Sequence, residues 1–138
     1  MNALYSAIHN HFSSTTGSGF YKDVSGQLYP AAASQEATFP YCTYFSAAAV
    51  TDIDFTDERE DFLLQFDIYS RNNSPFEAGN LLESLKTMFD NCSLTVTGWN
   101  HLQFQRKDPG IPMNDYSQVP PIMRYKIEYD VLLEKQRS

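Results

Sequence analysis

Cysteine is scarce in this chain of 138 residues: Cys42 and Cys92 stand far apart, with no CxxC pair. No disulfide framework or paired-cysteine metal motif can be built on them, and the plain reading is two buried free thiols in a reducing compartment. Positive charge is also in short supply. Ten Lys and Arg face seventeen Asp and Glu, a formal charge of −7, which argues against a protein that holds nucleic acid through its phosphates. Such a surface repels DNA, as suits a solvated exterior or a passage that DNA slides through. Long apolar runs are missing too. Nothing approaches the roughly 20 apolar residues that cross a bilayer. The opening "MNALYSAIHNHF" is broken by two histidines and lacks the apolar run of a signal peptide. The expectation is a protein made and used in the cytosol, or in something assembled there. No internal repeat or low-complexity tract occurs.

Motifs of catalysis are missing as well. The chain has no GxSxG, HExxH or EF-hand spacing, and "TTGSGF" lacks the Lys-Ser/Thr ending of a phosphate loop. His9 and His11 lie on an expected helix, where residues two apart point roughly 200° from one another and cannot share one ion. They read as surface residues, as does His101 on the polar side of its strand. No catalytic, cofactor-binding or metal-binding residue is assigned. A triad drawn from distant parts of the chain would leave no local signature, so a small enzyme with a dispersed site stays as an alternative.

What the chain does have is apolar bulk. Hydrophobic residues make up 42% and aromatic residues 14%, including nine Tyr and ten Phe. At this length that supports a single domain over residues 1–138, burying roughly two-thirds of its unfolded surface. Leu4, Ile8 and Phe12, with Ala3 and Ala7 beside them, give a first helix from Asn2 to about Ser14. The stretch from Phe20 to Pro40 reads as irregular, with room for one short strand near Gln27 to Tyr29. "YCTYFSAAAV" reads as a strand, and "TDIDFTDERED" links it as a hairpin to "FLLQFDIYSR". There Phe62, Leu64, Phe66 and Ile68 alternate with Leu63, Gln65, Asp67 and Tyr69.

Ser74-Pro75-Phe76-Glu77 then reads as a helix start, with Ser74 as cap, Pro75 as first residue and Glu77 closing a capping box. This strand-to-helix turn carries architecture and no catalytic group. The helix, Pro75 to about Asn91, lines Ala78, Leu81, Leu82, Leu85, Met88 and Phe89 on one stripe. "SLTVTGWNHLQFQRKD" alternates next, with Leu94, Val96, Leu102 and Phe104 on one side and Gly98 at a bulge or bend. In the last strand Met123, Tyr125, Ile127, Tyr129, Val131 and Leu133 face the core, while Arg124, Lys126, Glu128 and Asp130 face water. The expected fold is α+β: two helices packed on one face of a mostly antiparallel sheet, order α-β-β-α-β-β.

Two features ask for more than a plain globular domain. Asp52, Asp54, Asp57, Glu58, Glu60 and Asp61 surround Arg59, either as a solvated turn or as a charged channel lining or docking surface. The Asp108–Pro121 loop, rich in Pro, Gly and Asn, is either a free excursion or an arm towards a neighbouring subunit.

The layout as a whole is similar to a known family. "ALYSAI", then "FPYCTYFSA", then "FLLQFDIYSRN" running into "AGNLLESLKTMF", and finally "RYKIEYDVLL" resemble the tail-completion, or tail-terminator, proteins of long-tailed bacteriophages. The resemblance spans nearly the whole chain and rests on element order with the loose motifs "QFDIYSRN" and "PYCTYF". It implies a structural virion protein with no cofactor and no active site. It further implies a homo-oligomeric ring, commonly a hexamer, assembled in the host cytoplasm at the head-proximal end of the tail. The partners it implies are the major tail-tube protein and the neck or head-completion proteins, with DNA passing through unbound and no membrane. A head-completion protein of the connector is the nearest alternative.

Overall fold

The computed structural model describes residues 2–14, 19–33, 35–53, 58–72 and 74–136. In chain order these form α1 (Asn2–Ser13), α2 (Gly19–Asp23), β1 (Leu28–Pro30), β2 (Tyr41–Ile53), β3 (Glu58–Arg71), α3 (Phe76–Phe89), β4 (Trp99–Arg106), β5 (Ile111–Pro112) and β6 (Ile122–Lys135). The strands make one six-stranded sheet in the order β1-β2-β3-β6-β4, with β5 also on β6. Only β1–β2 is a parallel pair; every other pairing is antiparallel. The α+β class and the helix-covered sheet are as expected. The element order is longer, with α2, β1 and β5 added and three helices in place of two.

The added elements are short, and that is why periodicity passed over them. A five-residue helix and strands of two or three residues complete no full hydrophobic repeat. The long elements follow their patterns. On β3, Phe62, Leu64, Phe66 and Ile68 are buried, and β6 turns Met123, Ile127, Tyr129, Val131 and Leu133 inward with them. From α3, Ala78, Leu81, Leu82, Leu85 and Phe89 are buried, and Met88 is half-buried against the same core. From α1, Leu4, Ala7, Ile8 and Phe12 complete it. An aromatic chain ties the layers together. Phe89 of α3 lies 4.8 Å from Phe66 of β3, and Phe66 meets Tyr129 of β6 edge-on at 5.8 Å.

Three local expectations need correction. The start of α3 is not a capping box: Ser74 Oγ accepts the Phe76 N–H at 3.3 Å, but Glu77 instead accepts the Ser70 hydroxyl. Ser70 is fully buried on β3, so its hydroxyl needs a partner, and Glu77 meets that need. The strand expected from Ser93 begins only at Trp99, because the chain turns at Gly98, whose φ of +84° suits glycine. Leu102 then faces solvent while Phe104 is buried. A β-bulge between His101 and Gln103 shifts the register and breaks the expected alternation.

The third correction is the Asp108–Pro121 loop, which is not a free excursion over its first half. It runs back along β6. Lys107 N–H donates to the Glu128 carbonyl, Met113 N–H to that of Arg124, and Asp115 and Ile122 exchange both backbone bonds. At its turn Gly110 has φ +97°, and a Cβ there would lie 2.6 Å from a Leu82 methyl of α3. Gly110→Ala combines that crowding with a disfavoured backbone region, an expected loss of about 1–3 kcal/mol. Hydrogen exchange checks it: the Met113 and Asp115 amides should lose protection before the β3 amides do.

Candidate functional site

The β2–β3 hairpin carries the acidic set. Its register places Asp52 opposite Arg59 and Ile53 opposite Glu58; Asp54 and Asp57 lie outside the described residues. The pleat divides the rest. Glu58 and Glu60 fall on the face of Phe62, and Arg59 and Asp61 on the other, since successive side chains alternate. Basic neighbours offset part of the charge. Arg59 Nε donates to Glu134 at 3.2 Å, and Lys135 Nζ lies 3.5 Å from Glu58. These are exposed or half-exposed pairs of little net strength. Asp61 is exposed with no ion pair among the described residues.

The sheet face away from the helices holds a feature not expected from sequence. Its strands present Tyr41, Thr43, Gln65, Asp67, Tyr69, Arg124, Lys126 and Glu128, and the side chains brace one another. Asp67 is only 3% exposed. Its carboxylate accepts from Gln65 Nε2 at 3.0 Å and from Arg124 Nη2 at 3.1 Å. The Arg124 guanidinium lies over the Tyr69 ring, 5.4 Å from its centre, and Tyr69 stacks on Tyr41 at 5.0 Å. Burial raises the Tyr69 hydroxyl pKa above its ordinary value, with Arg124 acting the other way. Lys126 bonds Glu128 at 2.8 Å, and that bond raises the lysine pKa. The face expected to be wet is therefore a half-buried polar layer. One signal was available: an Asp in the middle of a long strand is out of place unless something pairs it.

Two of the three histidines are less exposed than expected. His9 is on the surface. His11, however, is half-buried; its Nε2–H donates to the Met88 carbonyl at 2.8 Å, and its ring lies 5.4 Å from Phe89. His101 Nδ1 accepts the Leu94 N–H at 3.3 Å, while its Nε2 is buried without a partner among the described residues. The bulge of β4 turns this ring inward. Burial lowers its pKa below the ordinary 6.5, helped by His11 and opposed by a Gln103 backbone bond.

The sign of the consequence follows from linkage. The unfolded chain takes up a proton at His101 more readily than the folded one, so stability falls as the pH drops through and below the unfolded pKa. Denaturant midpoints measured between about pH 7 and pH 5 should fall more for the parent protein than for His101→Gln.

A cleft of about 410 Å³ lies between α1, α2 and α3, lined by His11, Phe20, Ser84, Thr87 and Met88 among others. It holds no nucleophile–base pair among the described residues: Ser84 Oγ donates to Asp23 at 2.7 Å, and His11 is engaged by Met88. Nor do three His, Cys, Asp or Glu side chains converge to hold a metal among the described residues.

Comparison with known proteins finds no matching family model and no matching curated protein. Among solved structures, a chain in the virion of a native gene transfer agent particle superposes with a TM-score of 0.79, covering 96% of each chain at 10% sequence identity. The likeness is one of fold.

Proposed function

We propose that this chain is a structural virion protein that forms a ring at the head-proximal end of a tail tube, ends tail growth and prepares the tail for joining to the head. The observation that carries the reading is the end-to-end likeness of fold to a virion subunit. It coincides with a sequence layout resembling tail-terminator proteins. Supporting it, the chain carries a net charge of −7. A DNA path lined by like charge stays slippery.

The test is direct. Purified tail tubes are mixed with saturating protein and their ends viewed by electron microscopy. A cap on one end only is the expected result; bare ends overturn the reading, and binding to portal complexes instead would favour the head-completion alternative.

The proposed position of the acidic hairpin is near the channel or rim of this ring. Glu60→Lys with Asp61→Lys should leave the subunit folded, because Asp61 is exposed and Glu60 is not in the buried core. The double variant should gain DNA affinity that weakens steeply with salt. Filter binding at two salt concentrations measures it, and an unchanged affinity removes the hairpin from the DNA path.

A further inference from the structure

The outer edge of β2 is open over half its length. β1 pairs only with Cys42, Thr43 and Tyr44, the Ala31 N–H takes the Tyr44 carbonyl, and the Ser46 N–H donates to the Tyr5 hydroxyl. Beyond a β-bulge at Ala47, the strand from Ala48 to Ile53 pairs with β3 on its inner side; apart from the Ala48 carbonyl, which accepts the Ser46 hydroxyl at 3.2 Å, it bonds nothing else among the described residues. Alternate backbone N–H and C=O groups of an edge strand point outward. Such an edge is a template for another strand, and proteins that must stay apart guard it with lysine, proline or a covering element. Ala47-Ala48-Ala49-Val50-Thr51 carries neither residue, and no described element covers it.

The opposite end of the sheet holds a segment with the rhythm of a strand. Residues Ser93–Thr97 run antiparallel beside β4: Asn91 N–H donates to the Phe104 carbonyl, Leu94 N–H to His101, and Val96 bridges Trp99. Leu94 and Val96 are buried while Ser93, Thr95 and Thr97 are exposed. The amides of Ser93, Thr95 and Thr97 donate to no group among the described residues. The chain therefore ends its sheet on both sides with unpaired backbone.

The two ends also match in level. Reading across the sheet, Thr51 sits opposite Glu60, Glu60 opposite Leu133, and Leu133 opposite His101, which Leu94 bonds. Ala49 lines up in the same way through Phe62, Val131 and Phe104 to Asn91. A rotation about an axis along the strands thus brings Ala49–Ile53 of one copy beside Asn91–Val96 of the next, running parallel. We propose that the sheet continues from subunit to subunit through this contact. Because the two edges are different surfaces, the contact is head-to-tail, and a head-to-tail contact closes into a ring when the rotation allows. The inference rests on the ring reading and names the surface that builds the ring.

Disulfide trapping tests it on the whole chain, in a Cys92→Ser background so that the native thiol near the segment does not compete. Asp52→Cys combined with Thr95→Cys, positions that the pleat puts on one face of the continued sheet, assembled on tail tubes and mildly oxidised, should give a series of covalent multimers on a non-reducing gel. Each single variant should stay a monomer band. Because ring tilt can slide the register, Ala48→Cys and Val50→Cys, on the same face by their pairing with Leu63 and Asp61, are paired with Thr95→Cys in parallel. Capped tubes with no multimers from any pair would overturn the contact and leave the cap standing. Multimers without caps would keep the contact and remove the cap; neither caps nor multimers removes both. Dimers from Asp52→Cys alone would show two β2 edges meeting across a two-fold axis, which also overturns the proposal.

Discussion

Phe89→Ala should lower the stability by about 3–5 kcal/mol, read as a fall in the denaturant midpoint at constant slope. Phe89 is fully buried at the last turn of α3, where it is the joint between helix layer and sheet. Its ring lies 4.8 Å from Phe66 and 5.8 Å from Phe104, and His11 of α1 packs on it at 5.4 Å. Truncation removes three ring contacts at once and leaves a cavity bounded by β-strands, which cannot collapse into it. Phe76, at the other end of the same helix, is the internal control. It is 77% exposed, and Phe76→Ala should move stability by no more than about 0.5 kcal/mol. Equal losses at the two ends would mean that α3 is not seated on the sheet as described.

That contrast also shows where the sequence could be read and where it could not. The α3 stripe and the β6 alternation declare themselves because each completes several repeats, so Leu85 and Ile127 could be placed in the core from spacing alone. Leu102 could not. One extra residue at the β4 bulge reverses every later side chain, and no residue type near it announces the bulge. His101 reads as a surface residue from spacing for the same reason. The laced loop misleads differently: its Pro and Gly content suggests freedom, yet Met113 and Asp115 are bonded to β6. The acidic set was visible as composition, but the pleat that separates Glu60 from Asp61 is a property of the strand. The open β2 edge depends on how far β1 reaches along it, a non-local fact that no local pattern carries.

The polar face depends on sequence-distant partners in the same way, and it supports the other large effect. Arg124→Met should cost about 3 kcal/mol, whereas Asp67→Leu should cost about half as much. The asymmetry comes from burial. The Asp67 side chain is 4% exposed and that of Arg124 is 29% exposed, so the carboxylate has no route to water when its cation is removed. Gln65 alone then serves it, and a charge left with one neutral donor in a dry site carries its full desolvation penalty. The guanidinium in the reciprocal variant can turn toward solvent and keep part of its stacking on Tyr69. Replacing both, Asp67→Leu with Arg124→Met, should recover most of the loss, since an apolar pair of similar volume needs no partner at all. Chemical denaturation of the four proteins as a double-mutant cycle measures this. Equal costs for the two single variants, or a double variant no better than Arg124→Met, would show that Asp67 reaches water and that the polar layer on this face is not sealed.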